Sequence, residues 1–215
     1  MDERQNQILK EAYRLFAEKG TAQTCMEEIA KNLHISKKTI YSIFRTKNEL
    51  IKATCAWKMQ LIAGRVGAVV DMDIPVVEKM VKYLEVLFDN LLDVTFQIAE
   101  EITALKYELS DTMEDYLKNA VFGRFIRLFN QAKEEGRLNE DLDPGATMLK
   151  YWELLSTVLV TQPANKIPLV VVGSTSIADL VIKHIIEIYK SLLNETGLKE
   201  FNQLQTGHPK LSRFS

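Results

Sequence analysis

Residues 24–50 read TCMEEIAKNLHISKKTIYSIFRTKNEL, and this stretch decides the fold of the N-terminal part of the chain. Thr24, Ser36 and Thr46, all of residue types that favour the position before a helix, each precede apolar residues at helical spacing. A glutamate follows three residues after each threonine, as in a capping box. The stretch therefore predicts two short helices joined by a tight turn and then a long helix, which is the layout of a helix-turn-helix unit.

The segment before this stretch predicts one further helix. Its apolar residues recur at the spacing of one helix face, and Gly20 is expected to end it. These apolar residues are Ile8, Leu9, Ala12, Leu15 and Phe16.

Beyond residue 70 the hydrophobic pattern stays helical, and no alternating strand pattern occurs. The predicted helices run from Pro75 to about Leu92, Thr95 to Leu109, Asp111 to Gly136, Ala146 to Val160 and Ser176 to Leu193. The loop 161–175 carries no clear pattern.

The predicted fold class is all-α, with about nine helices in total. Residues 1–50 form a three-helix helix-turn-helix domain that continues into a linking helix, 47–70. Residues 51–198 form a second helical domain. Residues 199–215 are expected to be a loose, mildly basic tail.

Charge is distributed unevenly along the chain. The whole chain has a formal net charge of -2, but residues 1–50 hold nine Lys and Arg against seven Asp and Glu. Between Lys31 and Lys47 there are five basic residues and no acidic one. A basic patch on a mildly acidic body is typical of a protein that touches a polyanion with one end. The first ten residues are charged and polar, so no secretory signal is predicted and we expect a cytoplasmic protein.

The second short helix has the composition of a helix that reads the major groove of DNA. At 100° per residue, Ile40, Ile43 and Phe44 lie on its inner side and Lys38 and Ser42 point away. We expect base contacts from the outer and boundary positions, which are Lys37, Lys38, Thr39 and Ser42. We expect phosphate contacts from helix starts and neighbouring polar groups, which are Thr24, Ser36, Tyr41 and Lys47.

Residues 8–50 resemble the tetracycline-repressor (TetR) family of bacterial transcription regulators. The matching pattern is Ile8-Leu9-x-x-Ala12-x-x-Leu15-Phe16-x-x-x-Gly20, then Thr24-Cys25-Met26-x-x-Ile29-Ala30, then Ile35-Ser36-x-x-Thr39-Ile40-Tyr41-x-x-Phe44-x-x-Lys47-x-x-Leu50. The chain departs from the family at three positions: His34 and Lys38 stand where glycine is common, and Ile43 stands where His or an aromatic residue is common. The operator sequence is therefore not implied by the resemblance.

The resemblance implies a homodimeric regulator, more often a repressor, that a small-molecule inducer releases from a pseudo-palindromic operator. It implies dimerisation through helices 146–160 and 176–193, and the second of these is apolar over most of its circumference. It also implies a ligand cavity in the C-terminal domain, for which the aromatic candidates are Phe96, Tyr107, Phe122 and Trp152. No cofactor, metal or membrane partner is expected.

Two other classes of protein are also all-helical. A helical-bundle enzyme needs metal or acid-base residues, but the sequence has no Glu-x-x-His, His-Glu-x-x-His or Cys-x-x-Cys motif and only three histidines. An all-helical small-molecule-binding protein with a non-functional helix-turn-helix remains the alternative, which the basic patch disfavours.

Overall fold

The computed structural model describes residues 2–93, 123–143, 145–147, 149–150, 177–207 and 211–212. Within them eight helices have defined bounds: α1 Glu3–Gln23, α2 Met26–Asn32, α3 Lys37–Ile43, α4 Lys47–Val70, α5 Val76–Asp93, α6 Gly123–Glu134, α7 Ile177–Leu192 and α8 Glu195–Gly207. The described residues 2–62 fall in one compact unit, and residues 63–92 and those from 123 onward fall in another. The all-α prediction is confirmed.

The first unit is held together by one apolar core from α1, α2, α3 and the start of α4. Its fully buried members are Ile8, Leu9, Ala12, Leu15, Phe16, Met26, Ile29, Ala30, Ile40, Phe44, Leu50 and Ile51. The predicted order of helices and the predicted linking helix are therefore both found. The unit extends beyond residue 50, because the first turns of α4 pack Leu50 and Ile51 into this core.

Gly20 breaks the regular part of α1 where the sequence predicts its end. Its φ of 84° and ψ of 161° lie in a region that only glycine adopts readily. A final short piece to Gln23 is nevertheless helical, so α1 ends three residues later than predicted.

In the second unit an aromatic cluster joins α5, α6 and α7. The rings of Phe125 and Phe129 stack at 4.2 Å, and Tyr189 meets both of them edge-on. Tyr83 of α5 lies against Phe125, and burial raises the pKa of its hydroxyl above the usual value. These four side chains are among the largest that the described residues bury completely.

Two cationic side chains of this unit bind backbone carbonyls of α4. Arg124 Nη1 donates to the Ala63 carbonyl at 2.7 Å, and Lys79 Nζ donates to the Val70 carbonyl at 3.1 Å. A Cβ at position 67 would lie 3.0 Å from the Arg124 guanidinium, so Gly67 leaves the room that this side chain uses. Carbonyls at the end of a helix lack intrahelical partners, and Lys79 satisfies one of them.

The predicted loose tail from residue 199 is wrong, because residues Glu195–Gly207 form α8. Phe201 is fully buried, and Arg137 holds Glu200 in an ion pair at 3.0 Å. A Cβ on Gly197 would lie 2.4 Å from the Arg137 carbonyl, so α8 begins against the backbone that follows α6. The helix is fixed by these tertiary contacts rather than by its own composition.

Candidate nucleic-acid interface

Helix α3 packs its inner side into the apolar core of the first unit and has an N-cap at its start. Ile40 and Phe44 are buried and Ile43 is partly buried, as the helical period predicts. The Ser36 hydroxyl accepts a hydrogen bond from the Thr39 backbone N–H at 3.1 Å, which confirms Ser36 as the N-cap. A seated and capped helix presents its other side in a fixed orientation.

The outer side of α3 is open to solvent. Lys38, Tyr41 and Ser42 are exposed, and Tyr41 has 43% of its surface accessible to solvent. The Ser42 hydroxyl donates to the Thr39 carbonyl at 2.7 Å, and the Thr39 hydroxyl lies 2.8 Å from that of Ser36. Three of the five hydroxyls expected to contact DNA, those of Ser36, Thr39 and Ser42, therefore already have partners within or beside this helix.

The other two predicted lysines are engaged with the protein. Lys37 Nζ lies 3.2 Å from a carboxylate oxygen of Glu27 on α2. Lys47 Nζ donates to the Ala22 carbonyl at 3.2 Å and so ties the start of α4 to the end of α1. Lys38 has no ion pair with a residue that the structure describes.

The structure corrects the role expected for Thr24. The N-cap of α2 is Cys25, which makes no side-chain capping bond, so the predicted capping box at Thr24 is wrong. The Thr24 side chain is 1% exposed and its hydroxyl donates to the Gly20 carbonyl at 2.8 Å. A buried hydroxyl in this position is not presented to a phosphate, and Thr24 serves to close the turn after α1.

The capping box at Thr46 is present in a shifted form. The Thr46 hydroxyl accepts from the Glu49 backbone N–H at 3.1 Å, as predicted. The Glu49 carboxylate accepts from the backbone N–H of Arg45, at 2.8 Å, and not from that of Thr46. The bond fixes the chain as it leaves α3.

The turn between α2 and α3 depends on a left-handed residue. His34 has a φ of 53°, the only positive φ of a non-glycine residue in the described part of the chain. Its N–H donates to the Lys31 carbonyl at 3.1 Å, and the N–H of Ile35 donates to the Ala30 carbonyl at 2.9 Å. This backbone conformation is one that glycine adopts more easily, which fits a position where glycine is common in the resembled family.

Two charged residues of this region, Arg45 and Glu27, were given no role in DNA binding from the sequence. Arg45 is exposed just after α3 and adds a cation beside the outer side of that helix. Glu27 lies opposite Lys37, ten positions away in the chain. The run of basic residues could have indicated Arg45, whereas the Glu27 contact joins two helices and has no signal in the local pattern.

The predicted aromatic residues of the ligand cavity, Phe96, Tyr107, Phe122 and Trp152, all lie outside the described residues. So does most of the predicted dimer helix 146–160. Helix α7 is described, and its side chains at 182, 185, 186, 189 and 192 are buried within the chain. The cavity and the interface stay predictions.

Among the described residues, no helix is long and apolar enough to cross a membrane. No group of three or more His, Cys, Asp or Glu side chains among them is placed to hold a metal ion.

A capped helix with a polar outer side, set after a tight left-handed turn on a small apolar core, defines a helix-turn-helix domain of the class that binds DNA. Residues 8–54 match the family described as bacterial regulatory proteins, tetR family. The match to this family thus covers the helix-turn-helix domain.

One curated relative and two solved structures show how far the likeness reaches. The uncharacterized HTH-type transcriptional regulator YerO of Bacillus subtilis (strain 168) is 40% identical over 57 residues, which are 26% of this chain and 20% of that protein. A TetR-family regulator from Marinobacter aquaeolei VT8 has a TM-score of 0.68 at 19% identity, covering 100% of this chain and 99% of its own. A transcriptional regulator from Saccharomonospora viridis, in complex with choline, has a TM-score of 0.68 at 18% identity, covering 91% and 100%. The family match thus covers residues 8–54, and the likeness to the two solved structures over most of the chain is one of fold.

Proposed function

We propose that the protein is a DNA-binding transcriptional regulator that reads its operator with the outer side of α3. The observation that carries this proposal is the exposed set Lys38, Tyr41 and Ser42 on a helix whose inner side is buried and whose start is capped. Such a helix can enter the major groove without rearrangement of its own domain. The protein would act in the bacterial cytoplasm, and no catalytic step enters the proposal.

Within this proposal the side chains divide by position. Lys38 is free to reach the acceptors on a base edge, and Ser42 and Thr39 add short polar groups beside it. Tyr41 and Arg45 stand at the edges of the exposed side, where phosphates pass. Lys47 can turn from the Ala22 carbonyl to a phosphate at little cost, since the present hydrogen bond is exposed. Ser36 acts chiefly by fixing the start of α3.

We further propose that two copies of the chain bind a pseudo-palindromic site and that a small molecule bound in the C-terminal domain releases them. A protein of the same fold is in complex with choline, which supports a small-molecule site in this class of fold but no particular ligand. Binding of the small molecule would then shift the population of the protein from a DNA-competent dimer to a ligand-bound dimer. The more common outcome in such systems is repression.

The test is a mobility shift with the DNA upstream of the protein's own gene and with duplexes that the wild-type protein enriches from a random pool. Wild type is expected to bind an enriched duplex selectively, with an affinity that falls as salt rises. The double variant Lys38→Ala, Tyr41→Phe should bind it more than about tenfold more weakly, because a base contact and a phosphate contact are lost. Lys199→Ala removes one exposed cation on α8 and serves as the control. Enrichment of no sequence over the starting pool would overturn the proposal.

A further inference from the structure

Glu27 of α2 forms an ion pair with the proposed reading helix, and its carboxylate accepts from several donors. Its carboxylate pairs with Lys37, the first residue of α3. The pKa of the Glu27 carboxyl lies below its usual value, first because its own backbone N–H donates to it, then because of Lys37, with a smaller contribution from the Cys25 thiol. Glu27 is therefore ionised wherever the protein would bind DNA.

The ion pair is too exposed to contribute much to folding. The Lys37 side chain is 64% accessible and the Glu27 side chain 41%. Pairs of this kind contribute about 0 to 1 kcal/mol, since water and salt screen them. A fixed negative charge beside a DNA-reading helix has a larger consequence for DNA, because affinity for any duplex rests on cations that replace the counterions of its phosphates.

The neighbouring glutamate offers a contrast within the same helix. Glu28 pairs with Lys19 of α1, whereas Glu27 pairs with Lys37 of α3. Between Met26 and Lys47 these two residues are the only acids in the sequence. Glu27 is thus paired with the proposed reading helix, α3, and Glu28 with α1.

We infer that Glu27 is a specificity-determining residue: by pairing with Lys37 it keeps that lysine off the DNA backbone and lowers affinity for non-operator DNA. The inference rests on the proposed function. Base contacts from Lys38 and its neighbours then make up a larger share of the binding free energy, so the operator is better distinguished from bulk DNA. Lys37, expected from the sequence to read bases, is assigned instead to this pair.

The experiment compares Glu27→Gln with Glu28→Gln, which remove the same charge one residue apart. Each is titrated, over a range of salt concentrations, with an enriched duplex and with a mixed-sequence duplex of equal length. Glu27→Gln is expected to bind the mixed-sequence duplex about three- to tenfold more tightly at low salt, with the slope of log K against log salt steeper by about 0.9, the value for one more phosphate neutralised. Its preference for the enriched duplex should fall. Glu28→Gln is expected to change neither quantity by more than about twofold, because its charge lies farther from the duplex.

A second pair of variants separates the release of Lys37 from a general loss of negative charge. In a Lys37→Met background, Glu27→Gln should give no further gain, since no lysine is left to release. A gain that persists in that background, an equal gain from Glu28→Gln, or no gain from Glu27→Gln would each overturn the inference. If wild type binds neither duplex, the proposed function itself is wrong. This outcome is distinguishable from failure of the Glu27 inference, because it is seen with wild type alone.

Discussion

At the scale of single residues, the turn between α2 and α3 carries a local cost. His34 holds a φ of 53°, where a side chain with a Cβ is less favourable than glycine by about 1 kcal/mol. Its side chain is exposed, so its replacement removes little packing. The residue is tolerated because the hydrogen bonds of His34 and Ile35 to the end of α2 fix the turn.

We expect His34→Gly to stabilise the first unit by up to about 1 kcal/mol, the gain being reduced by the greater freedom of glycine in the unfolded chain. Thermal unfolding followed by circular dichroism measures the change. His34→Val is the opposing variant and should lower the midpoint, because a β-branched residue is poorly accommodated at positive φ. A valine variant as stable as the glycine variant would show that the turn is not left-handed.

Some side-chain contacts of the candidate site were predictable from the sequence, and others were not. Ser36 was predictable as a cap because an N-cap serine needs only the backbone N–H three residues ahead. Thr24 was not, because its hydroxyl bonds to the Gly20 carbonyl, which depends on the break in α1. The Glu27 to Lys37 pair also depends on how two helices approach each other, which no local spacing encodes.

At the scale of helices, strong periodicity predicted α4 and α7 to within a residue or two of their observed bounds. Helix α8 was missed for a physical reason. Its segment is polar and includes Gly197 in the first turn, and both features disfavour an isolated helix. Contacts distant in sequence stabilise it instead, among them Arg137 with Glu200 and the Asn194 amide with the carbonyls of Gly136 and Leu138.

Because α8 is packed through Phe201, truncation of this buried ring should lower the stability of the protein. Phe201→Ala is expected to lower the free energy of unfolding by about 3 to 5 kcal/mol, because the ring is fully buried. Denaturant unfolding provides the measurement, and Asn202→Ala, an exposed neighbour on the same helix, is the control. Equal stability of the two variants would show that residues from 199 onward form a loose tail after all.

At the scale of the whole molecule, the proposed dimer requires that α7 has a face not already buried within its own chain. Most of its described apolar side chains are already buried within the chain, whereas Ile188 is only partly buried. His184 and Ser191 lie on the same helix face as Ile188 and are exposed. This narrow face is the described part of α7 that a second copy can cover.

We therefore expect light scattering to give a mass of about twice the 24.6 kDa of one chain. Ile188→Asp should shift the protein toward the single-chain mass at micromolar concentration, since a carboxylate would be buried in the interface. Lys183→Glu changes an exposed residue about 140° around α7 from Ile188 and should leave the mass unchanged. A wild-type mass of one chain at every concentration would contradict the proposed dimer.

Helix α4 runs without interruption from Lys47 to Val70, although its residues divide between the two compact units at Ile62 and Ala63. The chain therefore offers no loop at that point where one DNA-reading unit could be exchanged for another. A chimaera must be spliced inside a helix, where each residue gained or lost turns everything beyond it by about 100° and displaces it by about 1.5 Å. New combinations of reading unit and C-terminal domain, in the laboratory or in evolution, are thus restricted to splices that preserve helical phase.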